Sequence, residues 1–267
     1  MKNGRVVIGN TDMDYVSFGG GPKSLVVLPG LSDGLATVKG KALLLTAPYK
    51  KFLRDYTVCM FSRKNSMPEG YTIRQMAEDQ ALAMNRLGIT RAAVLGVSQG
   101  GMIAQYLAAD HPGLVDKLIL AVTAPYANDT VRQTVGAWIE MAEQGDHVRL
   151  MTDTAENMYS PGFLEKNRKL FPLMARLTRP GSYERFFRNA FAILAFDARD
   201  ALREIRCPVL IIAGEDDHTV GNDAREELRR GIPHSRLFVY EGLGHGAFEE
   251  AKDFYDRVYA FCEDGTA

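Results

Sequence analysis

Short, nearly uninterrupted apolar runs recur along this chain, alternating with stretches whose apolar residues fall three and four positions apart. Residues 5–9 and 13–18 read as two short strands, and Gly19-Gly20-Gly21-Pro22 as the turn leading to a third strand at 24–28. Residues 57–61 form another β-rich run. The stretch 71–87 has helical spacing, with Ile73, Met76, Ala77, Gln80, Ala83, Met84 and Leu87 near one face. Ala92-Ala93-Val94-Leu95 begins a strand that reaches position 97. Gly96-Val97-Ser98-Gln99-Gly100-Gly101 then bends the chain, and 102–109 is helical. Residues 118–122 are a further buried strand.

Strands that are apolar at consecutive positions must be covered on both faces, which predicts a mainly parallel sheet with helices on each side. The pattern stops near Thr123. From 124 to 196 no strand-like run occurs; aromatic residues and methionines stand at helical spacings, and Pro161-Gly162, Pro172 and Pro180-Gly181 cut the segment into short pieces. The sheet pattern resumes at 207–213 and 236–240, and a helix over 251–262 ends the chain. The predicted organisation is a doubly wound α/β core made of 1–123 and 197–267, carrying an inserted helical cap at 124–196. Both halves share one alternation, and no Ser/Pro-rich linker parts them.

With 267 residues the chain can bury about three-quarters of its unfolded surface, enough for a core without staples. Thirty-two basic and 33 acidic residues leave a formal charge of −1, which gives no footprint for nucleic acid or an anionic membrane. A small-molecule substrate is the expected partner, and a homo-oligomer stays open. Met1-Lys2-Asn3-Gly4-Arg5 and the short strand it enters lack the apolar segment of a secretory signal, and no window is long and uncharged enough to span a bilayer. Cys59, Cys207 and Cys262 are odd in number and widely spaced, as expected of buried thiols in a reducing compartment, so the cytoplasm is the expected location. The 19–22 glycine run precedes a strand and lacks a following Gly-Lys-Ser/Thr, so it is a turn and not a phosphate loop. No dinucleotide fingerprint or Cys/His metal spacing occurs, and no cofactor or metal is expected.

The chemistry centres on Ser98. A serine at the apex of a tight strand-to-helix turn leaves no room for side chains two residues either side, which explains Gly96 and Gly100. The helix N-terminus offers free N–H groups to a developing oxyanion, with Gln99 N–H one candidate donor. A serine hydroxyl needs a base, and the base an orienting group. Among five histidines, His111 ends a helix, His147 and His234 sit in polar turns, and His218 directly follows Asp217. His245 lies in the glycine-flanked loop Gly242-Leu243-Gly244-His245-Gly246 after a strand, able to approach another loop. Carboxylates cluster in Glu215-Asp216-Asp217, beyond the carboxyl end of the apolar strand before them, where parallel sheets collect functional groups.

Together these segments resemble the α/β-hydrolase superfamily, in its serine-nucleophile, esterase-like branch, over nearly the whole chain. The most specific parts are G-V-S-Q-G-G-M-I-A-Q at 96–105, C-P-V-L-I-I-A-G-E-D-D at 207–217 and G-L-G-H at 242–245. The resemblance implies Asp217 as the acid in preference to Asp216. It also implies Leu31 N–H, in Pro29-Gly30-Leu31, as a second oxyanion donor beside Gln99. Two departures stand out. Relatives commonly carry Asp-x-Arg-Gly-x-Gly-x-Ser where this chain has Phe61-Ser62-Arg63-Lys64-Asn65-Ser66, so that loop is expected to be built differently. Serine at the nucleophile position disfavours the branches that form esters on an aspartate.

The expected reaction is cleavage of a small carboxylic ester, or a related thioester or lactone, through an acyl-enzyme on Ser98, with His245 as base and Asp217 fixing its tautomer. The cap is expected to supply an apolar pocket for an acyl or alkyl group, with Trp138, Met141, Met158 and Phe171, together with Val220, as lining candidates. The basic residues Lys166, Arg168, Lys169, Arg176, Arg179, Arg185 and Arg188 are either a guide for a carboxylate-bearing substrate or a solvated helix face. Fold and triad also serve carbon–carbon hydrolases, enol-lactonases, cofactor-free perhydrolases and hydroxynitrile-lyase-like enzymes, and a non-enzymatic small-molecule receptor could be built on the same scaffold.

Overall fold

The structure, a computed structural model, describes residues 1–265. Eight strands form one sheet: β1 (Lys2–Ile8), β2 (Thr11–Gly19), β3 (Lys23–Leu28), β4 (Tyr56–Lys64), β5 (Ala92–Val97), β6 (Val115–Ala121), β7 (Val209–Gly214) and β8 (Arg236–Tyr240). Their spatial order is β1-β2-β4-β3-β5-β6-β7-β8. The β1–β2 and β2–β4 pairs are antiparallel and the others parallel. Every residue of β5 and β7 is buried, as continuous apolar strands require.

Successive side chains point to opposite faces, so each strand feeds two cores. Val26, Val94, Leu118 and Ile211 face α2 (Ile73–Arg86) and α3 (Gln99–Asp110). Leu25, Leu95, Ile119 and Ile212 share the other core with Tyr49, Phe52 and the Phe254, Val258 and Phe261 side chains of α11 (Phe254–Glu263). Thr72 caps α2 in a reciprocal box with Gln75. Gln80, on the predicted apolar face of α2, is buried because its Nε2 donates to Ser62 O at 3.2 Å.

Between β6 and β7 run α4 (Asp129–Glu143), α5 (His147–Met158), α6 (Pro161–Asn167), α7 (Phe171–Thr178) and α8 (Glu184–Leu194), with a single isolated β-bridge, Tyr126 to Asp197, at their base among the described residues. The prolines cut this segment into short helices as expected, and two of them open the next piece: Pro161 and Pro172 stand in the first turns of α6 and α7, where a missing N–H costs nothing. Leu173, Met174 and Leu177 of α7 face solvent.

Three further segments add to or shift the expected elements. Residues 29–55 carry short helices with no clear periodicity, a 3-10 turn Leu31–Gly34, α1 (Ala42–Thr46) and a second 3-10 turn Ala47–Phe52. The final helix expected over 251–262 is α11, starting at Phe254, and a short extra helix, α10 (Ala247–Glu250), precedes it. Residues 61–64, expected as part of a divergent loop, continue β4, and Phe61, Ser62 and Arg63 are buried. The remaining helix, α9 (Asp223–Gly231), joins β7 to β8.

Candidate active site

The parallel arrangement brings the C-terminal ends of β3, β5, β7 and β8 to one edge, where the loops carrying Leu31, Ser98, Asp217 and His245 meet. Ser98 joins β5 to α3 with φ 53° and ψ −119°, a conformation that favours glycine and costs a serine on the order of 1–3 kcal/mol. Its surroundings enforce that bend. A Cβ on Gly100 would lie 1.9 Å from Leu28 O, and one on Gly96 2.5 Å from Gly100 O. Ser98 N donates to Ala121 O at 2.9 Å, and its carbonyl accepts from Gly101 N (2.8 Å) and Thr123 Oγ1 (2.7 Å). Val122, between these two supports, is itself held at φ 45°.

At the end of β7, Gly214 lies so close to the histidine loop that a Cβ would meet Gly244 O at 2.2 Å. Asp217 Oδ1 accepts from Thr219 N (2.9 Å) and Val220 N (3.0 Å), which fixes the carboxylate plane. His245 Nδ1 stands 2.9 Å from Asp217 Oδ2 and 3.1 Å from Oδ1, and His245 Nε2 stands 2.9 Å from Ser98 Oγ. Asp217 and His245 are buried, while Ser98 is partly exposed. A hydroxyl open to a ligand is thereby joined through an imidazole to a dry carboxylate. Of the three acidic candidates, Asp217 makes this contact, whereas Glu215 instead accepts from Gly242 N at 3.0 Å.

The Leu31 and Gln99 amides each open a helix, so neither has an acceptor within its own helix. Gly30 packs against the serine, with a Cβ built on it 3.4 Å from Ser98 Cβ, so the Leu31 turn borders the hydroxyl. Beneath both amides lies Arg63, fully buried, whose Nη2 donates to Pro29 O (2.5 Å) and to Gln99 Oε1 (2.8 Å). Burial lowers its pKa to about 10, although Asp33 opposes the shift. Asp33 Oδ2 accepts from Arg63 N (2.9 Å) and Arg185 Nη2 (2.7 Å), and Arg185 also donates to the carbonyls of Asp33 and Arg63. Gln99 Nε2 donates to Asn189 O at 3.1 Å, tying α8 to the serine turn. Arg63, Asp33, Asn189 and Thr123 escaped the sequence reading. A charged residue just after the apolar run 58–61 was the available signal for Arg63.

The proposed pocket residues scatter. Trp138 and Met141 are packed in the core, with Trp138 Nε1 donating to Asp153 Oδ2 at 2.8 Å. Val220 contributes its amide to Asp217 and buries its side chain in the same core. Met158 approaches the site through its backbone, its carbonyl accepting from Gly246 N at 2.7 Å beside His245. Phe171 is half-buried, stacked on Tyr159 with centroids 6.0 Å apart. Arg185 is held by Asp33 and so is not free to guide a substrate. His111 pairs with Glu78 and His234 with Cys207 O, whereas His147, expected in a polar turn, is buried. Among the described residues no cluster of three or more metal-ligating side chains occurs, and no helix is long and apolar enough to cross a membrane.

Comparison with known proteins agrees with this architecture. The sequence model of a family described as alpha/beta hydrolase fold matches residues 25–252. The chain is 31% identical over 202 residues to AB hydrolase superfamily protein YisY of Bacillus subtilis, covering 72% of this chain and 74% of that protein. It is 27% identical over 209 residues to 3-oxoadipate enol-lactonase 2 of Acinetobacter baylyi, covering 77% and 78%. Among solved structures, MGS-M2, an alpha/beta hydrolase enzyme from a deep-sea metagenome library, superposes with a TM-score of 0.85 at 21% identity, covering 99% of this chain and 98% of that one.

Proposed function

The chain belongs to the α/β-hydrolase fold family, and from that premise we propose that it is a serine hydrolase of small carboxylic esters, lactones included. The observation that carries this reading is the hydrogen-bonded series from Ser98 Oγ through His245 to Asp217. Ser98 Oγ attacks the substrate carbonyl as His245 Nε2 takes its proton, and Asp217 holds Nδ1–H and stabilises the imidazolium. The Leu31 and Gln99 amides receive the oxyanion. Collapse expels the alcohol, which takes the proton from His245, and leaves an acyl group on Ser98. Water, deprotonated by His245, then attacks that acyl group. The acid departs and the proton returns to Ser98 Oγ.

In this reading the helices between 124 and 196 form a cap over the serine, and the substrate presents an apolar acyl or alkyl group to it. Lactones enter the substrate range because a lactone is an internal ester and one relative is named an enol-lactonase. The test is a panel of p-nitrophenyl esters, thioesters and lactones assayed with wild type and Ser98→Ala, together with fluorophosphonate labelling. Stoichiometric label on Ser98 and multiple turnover that Ser98→Ala abolishes are the expected results. Full turnover by Ser98→Ala would overturn the mechanism, and label without turnover would favour a receptor.

A further inference from the structure

Arg63 stands in an unusual place for a cation, at the buried end of β4 with 1% of its surface exposed. Burying a charge is expensive, and an apolar side chain of similar volume would fill such a space at less cost. Its hydrogen bonds are also concentrated: among the described residues Nε and Nη1 make none, Nη1 standing 3.8 Å from Asp33 Oδ2 as an ion pair, while Nη2 serves two acceptors. Those acceptors belong to the two elements that flank Ser98. Pro29 O lies on the turn that presents the Leu31 amide, and Gln99 Oε1 on the residue whose own amide opens α3.

We propose that Arg63 is a positioning residue that sets the separation of the Leu31 and Gln99 amides by gripping Pro29 O and the Gln99 side chain with one nitrogen. Asp33 and Arg185 anchor it from the other side: Arg63 N donates to Asp33 Oδ2, and Arg185 Nη2 bridges Asp33 Oδ2 and Arg63 O. Through Arg185 and Asn189 the grip extends to α8, so the inserted helices and the serine turn share one buried polar cluster. A displaced donor peptide weakens oxyanion binding while leaving ground-state binding nearly intact, because the oxyanion develops only during reaction. The inference rests on the reading of Ser98 as nucleophile.

The test uses Arg63→Met, which keeps the volume, and Arg63→Lys, which keeps the charge and can donate to two acceptors, but from a shorter side chain with tetrahedral instead of planar N–H directions. Active sites are counted by end-point fluorophosphonate labelling, and kcat and KM are measured on a p-nitrophenyl ester. Inhibition by a trifluoromethyl ketone, whose adduct carries an oxyanion, is compared with inhibition by the carboxylic acid product. For Arg63→Met, kcat per labelled site should fall about 10- to 100-fold and ketone affinity by a similar factor. KM and product affinity should stay within about threefold, with Arg63→Lys intermediate. Unchanged kcat per site and ketone affinity in either folded variant would overturn the proposal, as would a loss explained by fewer labelled sites alone. Should Arg63→Met fail to fold, Arg63→Lys carries the same readouts. Failure of the wild type to label would instead overturn the nucleophile reading, and this proposal with it.

Discussion

Ser98 pays for its exposure in backbone strain, and two substitutions can measure it. At φ 53° and ψ −119° the residue occupies a region that costs a side-chain-bearing residue on the order of 1–3 kcal/mol. Ser98→Ala removes Oγ and its 2.9 Å contact with His245 but retains Cβ and therefore the strain. Ser98→Gly removes the same oxygen and the strain as well. Against that relief stands the greater conformational entropy of glycine in the unfolded chain, roughly 0.5–1 kcal/mol. The difference between the two variants cancels the lost hydrogen bond and leaves about 0–2.5 kcal/mol in favour of glycine. Both should be inactive, so activity cannot confuse the comparison. Urea unfolding at neutral pH measures the difference as a shift in midpoint at constant m-value. In thermal unfolding the same quantity corresponds to a shift of up to about 5 °C. If Ser98→Ala proves more stable than Ser98→Gly by the full glycine cost of about 0.5–1 kcal/mol, the serine is not strained in this turn.

Asp217→Asn should lower kcat by about 10³- to 10⁴-fold with little change in KM. The Thr219 and Val220 amides select the asparagine oxygen, turning its NH₂ toward His245 Nδ1 and leaving the wrong tautomer at Ser98; wild-type kcat would refute this. His147 is buried against Tyr183 with neither ring nitrogen partnered among the described residues, and burial, then Arg179, lower its pKa. Because the unfolded chain binds that proton more readily, stability should fall as pH drops below about 6.5, and His147→Phe should flatten the fall in urea midpoints between about pH 7.5 and 5.5. Burial pushes the Cys59 and Cys262 thiols up to about 12 and Cys207 up to about 11. The native state therefore holds protons the unfolded chain releases, so their contribution is present below the ordinary thiol value and is lost as pH rises through about 11 to 12. In a thiol titration of native protein near pH 8, half-exposed Cys207 should react before Cys59 or Cys262; early reaction of either buried thiol would contradict the packing.

The order of the candidate-site residues along the chain was legible because each part is a local pattern. Gly96 and Gly100 mark a turn that admits no side chain, and apolar runs mark the strands on which Ser98, Asp217 and His245 are mounted. Their C-terminal ends share an edge because parallel strands leave no alternative. The helices between 124 and 196 could be foreseen as helices, yet their docking could not. Trp138 has the composition of a pocket residue, but its contacts with Asp153 and the core are set by packing between helices distant in sequence. Pro161 and Pro172 marked breaks in the sequence, and the structure shows that each also begins the following helix.

The sequence by itself determined the strand-turn-helix at Ser98, the parallel core and the position of the acidic and histidine loops, since these follow from periodicity, glycine sterics and strand direction. Tertiary structure decided the 2.9 Å contacts of His245 with Asp217 and with Ser98, and the buried position of Arg63 between Pro29 and Gln99. Those outcomes depend on atoms brought within hydrogen-bond distance from far along the chain. Local spacing carries no information about such distances until the sheet has folded.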